Sequence, residues 1–198
     1  METTVPSTAG SAQLPMPDDV RDPHAWLAWL AAAFEHSPMR FEHSKAVWIR
    51  MRAVVATTDK ALSADQARTL ELAALLHDVG RAIDPDNRRP HAFTAADLLD
   101  AVGLGDVATI VAHHSGAEHE AELRGLQHLD RWREFDSDLV AMLTYLDRTT
   151  GADGATITVA ERRAGLVARY GIGSTPVLVL DSTLPTVARG RVLCEGRA

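Results

Sequence analysis

The chain has 198 residues, of which 46% are hydrophobic and 24% charged, as expected for one globular domain with tails. Twenty Lys and Arg residues against 27 Asp and Glu give a net charge of −7, which argues against broad nucleic-acid binding but leaves a small anionic substrate open. The single Cys194 excludes an internal disulfide. We expect a cytoplasmic protein, because the N-terminus lacks a secretory signal and no apolar run is long enough to span a membrane.

Helical periodicity and helix-end signals run from residue 22 to about residue 172. Asp22-Pro23 predicts the start of a first helix, and a second helix is expected over Arg40–Thr57. Capping boxes at Ser63–Gln66 and Thr158–Glu161 predict two further helix starts. The fold class predicted from these patterns is an all-α bundle.

The middle of the chain has turn signals between its predicted helices. Gly80 is expected to close the third helix as its C-cap, and residues 81–90 have the chemistry of a loop. Residues 118–128 are compatible with either helix or irregular structure. Three more helices are predicted, over Pro90–Val102, Asp106–His114 and Asp136–Asp147.

The two ends of the chain are expected to lie outside the bundle. Residues 1–21 show no periodicity and predict a flexible arm, whereas residues 22–172 form the helical domain. In the C-terminal extension, residues 173–198, the run Val177–Leu180 is β-like. It predicts a short peripheral strand or an ordered extension, and disorder past Thr186 is the alternative.

An adjacent histidine and aspartate, His77-Asp78, end an apolar helical run and are followed closely by Gly80. Imidazole and carboxylate are ligands for Zn, Fe, Mn and similar ions. Neighbouring side chains on a helix diverge by about 100°, so a shared ion needs partners from other helices. The residue types alone fit either such a site or a buried core histidine beside a capping carboxylate. Candidate partners on separate predicted elements are His43, His91, His113, His114 and Asp147.

The ordered series resembles a known family. His43-Ser44-x-x-Val47, Ala74-Leu75-Leu76-His77-Asp78-Val79-Gly80 and then Asp147 are similar to the HD superfamily of metal-dependent phosphohydrolases, over about residues 40–150. The added His91 and His113-His114 resemble its binuclear branch, which includes the HD-GYP phosphodiesterases and the HD-type mixed-valent di-iron oxygenases.

The resemblance implies a ligand set and a cofactor. His43, His77, Asp78 and Asp147 would hold one ion, and Asp78 would bridge to a second ion held by His91 and His113. His114 would be an additional ligand or a hydrogen-bonding core residue. The implied cofactor is one or two divalent transition-metal ions, such as Mn, Fe, Zn, Co or Ni.

Two positions depart from the relatives. Ser115-Gly116-Ala117-Glu118 follows the double histidine in place of a Gly-Tyr-Pro signature, which argues against cyclic-dinucleotide hydrolysis. Arg81 follows Gly80, where oxygenases with aminophosphonate activity tend to have histidine, and this weakens that assignment.

The function implied by the resemblance is hydrolysis of a small phosphate ester or nucleotide by a metal-activated water. Asp78 would bridge the ions, while Lys45 and Arg81 would anchor the substrate anion, with Arg88, Arg89 and Arg124 as further candidates. A di-iron oxygenase and a non-catalytic regulatory HD module are the alternatives. We expect a small phosphorylated substrate as partner and no membrane; the oligomeric state is left open.

Overall fold

The computed structural model describes residues 14–126, 131–132 and 135–196. Within these ranges the chain is helical and contains no strand beyond one isolated bridge between Thr150 and Thr156, which confirms the all-α class. A 3₁₀ turn, His114–Gly116, joins α6 to α7. The α-helices are α1 (Pro23–Ala33), α2 (Pro38–Thr57), α3 (Ala64–Leu76), α4 (Gly80–Ile83), α5 (His91–Ala101), α6 (Gly105–His113), α7 (Ala117–Leu123), α8 (Ser137–Arg148), α9 (Val159–Tyr170), α10 (Thr175–Ser182) and α11 (Leu184–Glu195).

Several helices begin where side chains satisfy the free N–H groups of their first turn. Asp22 accepts from the His24 N–H at the start of α1, and Asp136 caps α8 in the same way. Ser63 with Gln66 and Thr158 with Glu161 form reciprocal capping boxes at α3 and α9. These predicted helix starts are therefore confirmed. Of the predicted N-terminal arm, residues 1–13 lie outside the described part of the chain.

The predicted role of Gly80 as a C-cap is wrong. The helix α3 ends at Leu76, and Gly80 is the first residue of the short helix α4, so the predicted loop begins only after Ile83. A Cβ at Gly80 would lie 1.9 Å from the carbonyl oxygen of His91. Glycine is thus needed because the backbones of α4 and α5 touch at this position. His77-Asp78 lies in the turn between α3 and α4 and faces α5.

The predicted C-terminal strand is also wrong, because Val177–Leu180 lies within α10. Pro176 lies in the first turn of this helix, and Val177, Val179 and Leu180 are buried against the rest of the molecule. Tertiary packing therefore overrides the β-propensity of the valines. The chain continues as α11 to Glu195, so the alternative of disorder past Thr186 is wrong as well. Of the undecided stretch 118–128, residues 118–123 are helical, and residues 127–128 lie outside the described part.

The core surrounds α3, whose residues from Thr69 to Leu76 are buried except Glu71. The helix α8 is buried from Leu139 to Asp147, and α11 lies directly on it. A Cβ at Gly190 of α11 would lie 2.1 Å from the Ala141 carbonyl oxygen. The C-terminal helices therefore support the back of α8. Among the described residues no helix has both the length and the apolar character needed to cross a membrane.

Gly190→Ala is expected to destabilise the protein by about 1–3 kcal/mol, because the new methyl group would force α11 away from α8. Gly165→Ala is the matched control: Gly165 is an exposed interior residue of α9 with open space around its Cβ position. That variant should gain roughly 0.5–1 kcal/mol from helix propensity. Urea unfolding measures both free energies. Equal stability of the two variants would contradict the close packing of α11 on α8.

Candidate metal centre

Histidines and aspartates from five parts of the fold meet in the interior. They come from α2, the α3–α4 turn, the start of α5, the end of α6 and the end of α8. Each is at most 8% exposed, although such residues rarely lose contact with water unless they are paired or bind a metal. The residues are His43, His77, Asp78, His91, His114 and Asp147.

Three of these imidazoles are oriented by backbone carbonyl groups. The Nδ1 atom of His43 lies 3.0 Å from the Gly151 oxygen, and Nδ1 of His77 lies 2.8 Å from the Ala74 oxygen. Nδ1 of His114 lies 2.6 Å from the Val111 oxygen. A carbonyl can only accept, so each Nδ1 carries the hydrogen and each Nε2 of the neutral ring offers a lone pair. Metal-binding histidines are oriented in this way.

The Nε2 atoms point at one another and at a carboxylate. Nε2 of His43 lies 3.1 Å from Asp147 Oδ1 and 3.3 Å from Nε2 of His77. Nε2 of His114 is buried and has no hydrogen-bond partner among the described residues. Lone pairs facing one another repel unless a proton or a cation lies between them. The residues present therefore fit a bound cation.

Two sets of donor atoms are close enough to hold an ion, each lying within 4.8 Å. One is His43, His77 and Asp147, and the other is His77, Asp78 and His114. Nitrogen and oxygen donors of this kind suit Zn, Fe, Mn and related divalent ions. His77 belongs to both sets, so the two positions adjoin.

The electrostatics keep the carboxylates ionised. Burial alone would raise the pKa of Asp78, but Arg81 and His77 outweigh burial and hold that pKa well below its usual value. Burial likewise opposes the ionisation of Asp147, but the hydrogen bond from His43 and the charge of Arg148 hold its pKa well below the usual value. Both groups therefore carry negative charge at neutral pH.

The histidines divide into two groups. Burial lowers the pKa of His77, and burial with the charge of Arg81 lowers that of His91. Burial, then His91 and His77, lower the pKa of His114 to about 3. Burial also disfavours the charged form of His43, but Asp147 outweighs it and raises the pKa. Most of the cluster thus carries neutral imidazoles and ionised carboxylates, the protonation state that metal binding requires.

Asp78 is surrounded by cationic and hydrogen-bonding groups. Arg81 Nε lies 2.8 Å from Oδ1, and His91 Nε2 lies 3.1 Å from the same oxygen. Arg40 Nη1 lies 3.5 Å from Oδ2. The side chains of Arg40 and Arg81 are 45% and 29% exposed, so they connect the buried carboxylate with the surface.

The structure does not bring His113 into either donor set. Its Nε2 atom lies 2.5 Å from the Trp132 carbonyl oxygen, its Nδ1 atom lies 3.3 Å from Glu118, and its ring stacks on Phe135. The chain leaves the helix after His113, and His114 adopts extended backbone that turns its ring inward. Of the two adjacent histidines, His114 therefore lies among the buried cluster residues, and His113 packs against Trp132, Glu118 and Phe135.

The basic residues considered from sequence have different partners. Lys45 points to Glu42, 3.8 Å away, and to the ring of Phe41, and the structure records no contact between it and the cluster. Arg88 and Arg89 are paired with Asp84 and Asp97. Arg124 donates to the carbonyl groups of Asn87 and Arg88 and so fastens the 84–90 loop. Among these basic residues, and within the part of the chain that the structure describes, Arg81 alone contacts the cluster, through Asp78.

Among residues beside the cluster that were not predicted from sequence, Arg40 and Ser115 contact its aspartates, and Arg148 acts on Asp147 through its charge. Arg40 precedes His43 by three positions and Arg148 follows Asp147, so helical spacing and adjacency were the available signals. Ser115 donates its hydroxyl to Asp147 Oδ2. No periodicity marks such a contact, because it depends on how a turn meets a helix.

The metal-free protein is expected to lose stability as the pH falls from about 7 to 4. Folding lowers the pKa of a buried histidine such as His114, so below the ordinary histidine pKa of 6.5 the unfolded state binds more protons and is favoured. The raised pKa of His43 offsets part of this loss of stability. The lowered pKa of Asp78 adds to the loss as the pH approaches the ordinary aspartate pKa of 3.8. His114→Gln should reduce the slope by up to about 1.4 kcal/mol per pH unit. His36→Gln is the control, since that side chain is 93% exposed. Identical slopes for both variants in urea unfolding would contradict the neutral state of His114.

The comparisons with known proteins identify the family without pointing to a particular relative. Residues 40–151, more than half of the chain, match the HD domain family, and this range contains every residue of the buried cluster. Neither the curated proteins nor the solved structures gave a significant match. The helical fold, the His77-Asp78 turn and the matched range agree with one another, and the chain belongs to the HD domain family.

Proposed function

We propose that the protein is a metal-dependent phosphohydrolase that acts on a small phosphate ester or nucleotide. The HD domain places the chain in a superfamily of metal-dependent phosphohydrolases. The observation that carries the proposal is the buried cluster, in which neutral imidazoles with Nε2 free adjoin two ionised carboxylates.

The donor sets suggest which residues would hold the metal. His43, His77 and Asp147 would form one ion site. His77, Asp78 and His114 would form an adjoining site, either for a second ion or as an alternative position for the same ion. His91, on Asp78 Oδ1, would orient that carboxylate or join the ligands. His113 has no role as a ligand in this proposal. A bound divalent ion supplies a Lewis acid that lowers the pKa of coordinated water and polarises a phosphoryl oxygen.

Arginine side chains beside Asp78 would contact the substrate anion. Arg81 and Arg40 approach Asp78 on its two oxygens and are both partly exposed, so a phosphate group entering beside Asp78 would meet two guanidinium groups. Arg148 lies deeper, and its Nε has no hydrogen-bond partner among the described residues. Guanidinium groups neutralise the charge that develops on phosphoryl oxygens during attack by water. In this proposal Arg81 keeps its predicted role, and Arg40 replaces Lys45.

Loss of Asp78 tests the metal chemistry. Asp78→Asn should lower the metal content and reduce the rate of phosphate release by about 100-fold, because the neutral amide is a poor ligand. Asp86→Asn is the control, because Asp86 is exposed in the loop after α4. Each protein is purified without chelator, analysed for metals and assayed with phosphate esters and nucleotides. Phosphate release that survives Asp78→Asn would refute the proposed mechanism.

The same assay addresses the alternative chemistries. A wild-type protein that remains inactive towards all of these esters after loading with Mn, Fe or Zn would refute hydrolysis. Oxygen consumption by an iron-loaded protein would then support the oxygenase alternative. Absence of bound metal would leave the regulatory HD module.

Arg40→Ala should reduce kcat/KM for a phosphate ester by roughly tenfold to a hundredfold, because a charge-assisted hydrogen bond to the substrate would be lost. Metal content should stay close to the wild-type level, since Arg40 belongs to neither donor set and its 3.5 Å contact with Asp78 Oδ2 is long for a hydrogen bond. Arg52→Ala removes a guanidinium from the same helix, where it lies over Trp48 and pairs with Glu71, and should change neither quantity. Equal kinetics for the two variants would exclude Arg40 from substrate binding.

A further inference from the structure

Ser115 connects the turn that carries His114 to the helix that carries Asp147. Its N–H donates to Thr144 Oγ1 at 3.3 Å, its hydroxyl donates to Asp147 Oδ2, and its carbonyl oxygen accepts from Arg148 Nη2 at 2.7 Å. Every polar group of this residue is therefore bonded to α8. Residues 144, 147 and 148 have i, i+3 and i+4 spacing and so lie along one face of that helix.

The backbone at this point adopts an uncommon conformation. Ser115 has φ 57° and is 6% exposed, and Gly116 follows with φ 72°. A residue with a β-carbon rarely adopts this left-handed region, and doing so in the interior has a free-energy cost. Local strain of this kind persists only where surrounding contacts stabilise it, and it is common at functional sites.

The turn is also held from its other side. A Cβ at Gly116 would lie 2.7 Å from Thr183 Cγ2 and 3.2 Å from Val179 Cγ1, so the end of α10 presses directly on it. The turn is therefore enclosed between α8 and α10. This enclosure explains how Ser115 is kept in its conformation.

The two carboxylate oxygens of Asp147 have different partners. Oδ2 accepts the hydroxyl hydrogen of Ser115, whereas Oδ1 faces His43 and His77 at 3.1 and 3.8 Å. The hydroxyl thereby selects the rotation of the carboxylate and leaves Oδ1 for a cation. The backbone of the same residue, which directly follows His114, is bonded to Thr144 and Arg148, so one residue relates both donor sets.

We propose that Ser115 is a positioning residue that fixes Asp147 and His114 relative to each other and so sets the metal affinity of the site. The inference rests on the proposed function, because it concerns the same cluster. Groups that orient metal ligands typically contribute 10- to 100-fold to metal affinity. Ser115 supplies such an orienting hydrogen bond to Asp147, as the backbone carbonyls do for the histidines.

Two substitutions separate the hydroxyl from the backbone. Ser115→Ala removes the hydroxyl and retains the strained conformation, whereas Ser115→Gly removes the hydroxyl and accepts φ 57° without strain. Both should bind Mn or Zn about tenfold or more weakly than wild type in a competitive chelator titration. In both variants, the absorption spectrum of the Co(II)-loaded protein should differ from that of wild type, and the bands should shift in the same direction. Unfolding of the metal-free protein should show Ser115→Gly to be at least as stable as Ser115→Ala.

Ser63→Ala provides the control for general destabilisation. It removes the capping box of α3, on the opposite end of that helix from His77, and should lower stability while leaving metal affinity unchanged. Wild-type affinity in both Ser115 variants, or an affinity loss that follows stability across all three variants, would overturn the role of Ser115 alone. A wild-type protein that binds no metal would overturn the proposed function and this inference together.

Discussion

The arrangement of the helix ends around the site depends on one constraint: the burial of imidazole and carboxylate groups is unfavourable unless these groups have partners. Backbone carbonyl groups of Ala74, Val111 and Gly151 each fix one histidine by its Nδ1 atom, and these carbonyls lie at or near the C-terminal ends of helices. The helix ends are thus arranged so that the Nε2 atoms converge. Ionised Asp78 and Asp147 then provide the negative charge that attracts a cation.

The sequence predicted those features that have local causes. Helix starts followed from capping residues such as Ser63 and Thr158, and the helical class followed from periodicity. The cluster members on separate helices were predicted largely through the resemblance to the HD superfamily, because long spacings carry no local motif. The family match over residues 40–151 now confirms that resemblance, whereas the ligand roles remain proposals.

Features that depend on tertiary contacts could not be predicted. The β-like run at Val177 became helical because its valines pack against the core, and Gly80 proved necessary for the approach of two backbones. Which histidine of the pair faces inward is decided by the extended backbone at His114, and a dipeptide does not specify that conformation. Ser115 contacts Asp147 because a turn meets α8, and no sequence spacing specifies that contact.

The most direct test of the metal centre is anomalous X-ray diffraction from crystals of the protein loaded with Mn or Zn, collected at the absorption edge of that metal. An anomalous peak is expected between Nε2 of His43, Nε2 of His77 and Asp147 Oδ1, or between His77, Asp78 and His114, at about 2.0–2.2 Å from the donor atoms. Absence of a peak inside the cluster, or a peak confined to carboxylates on the surface, would contradict it.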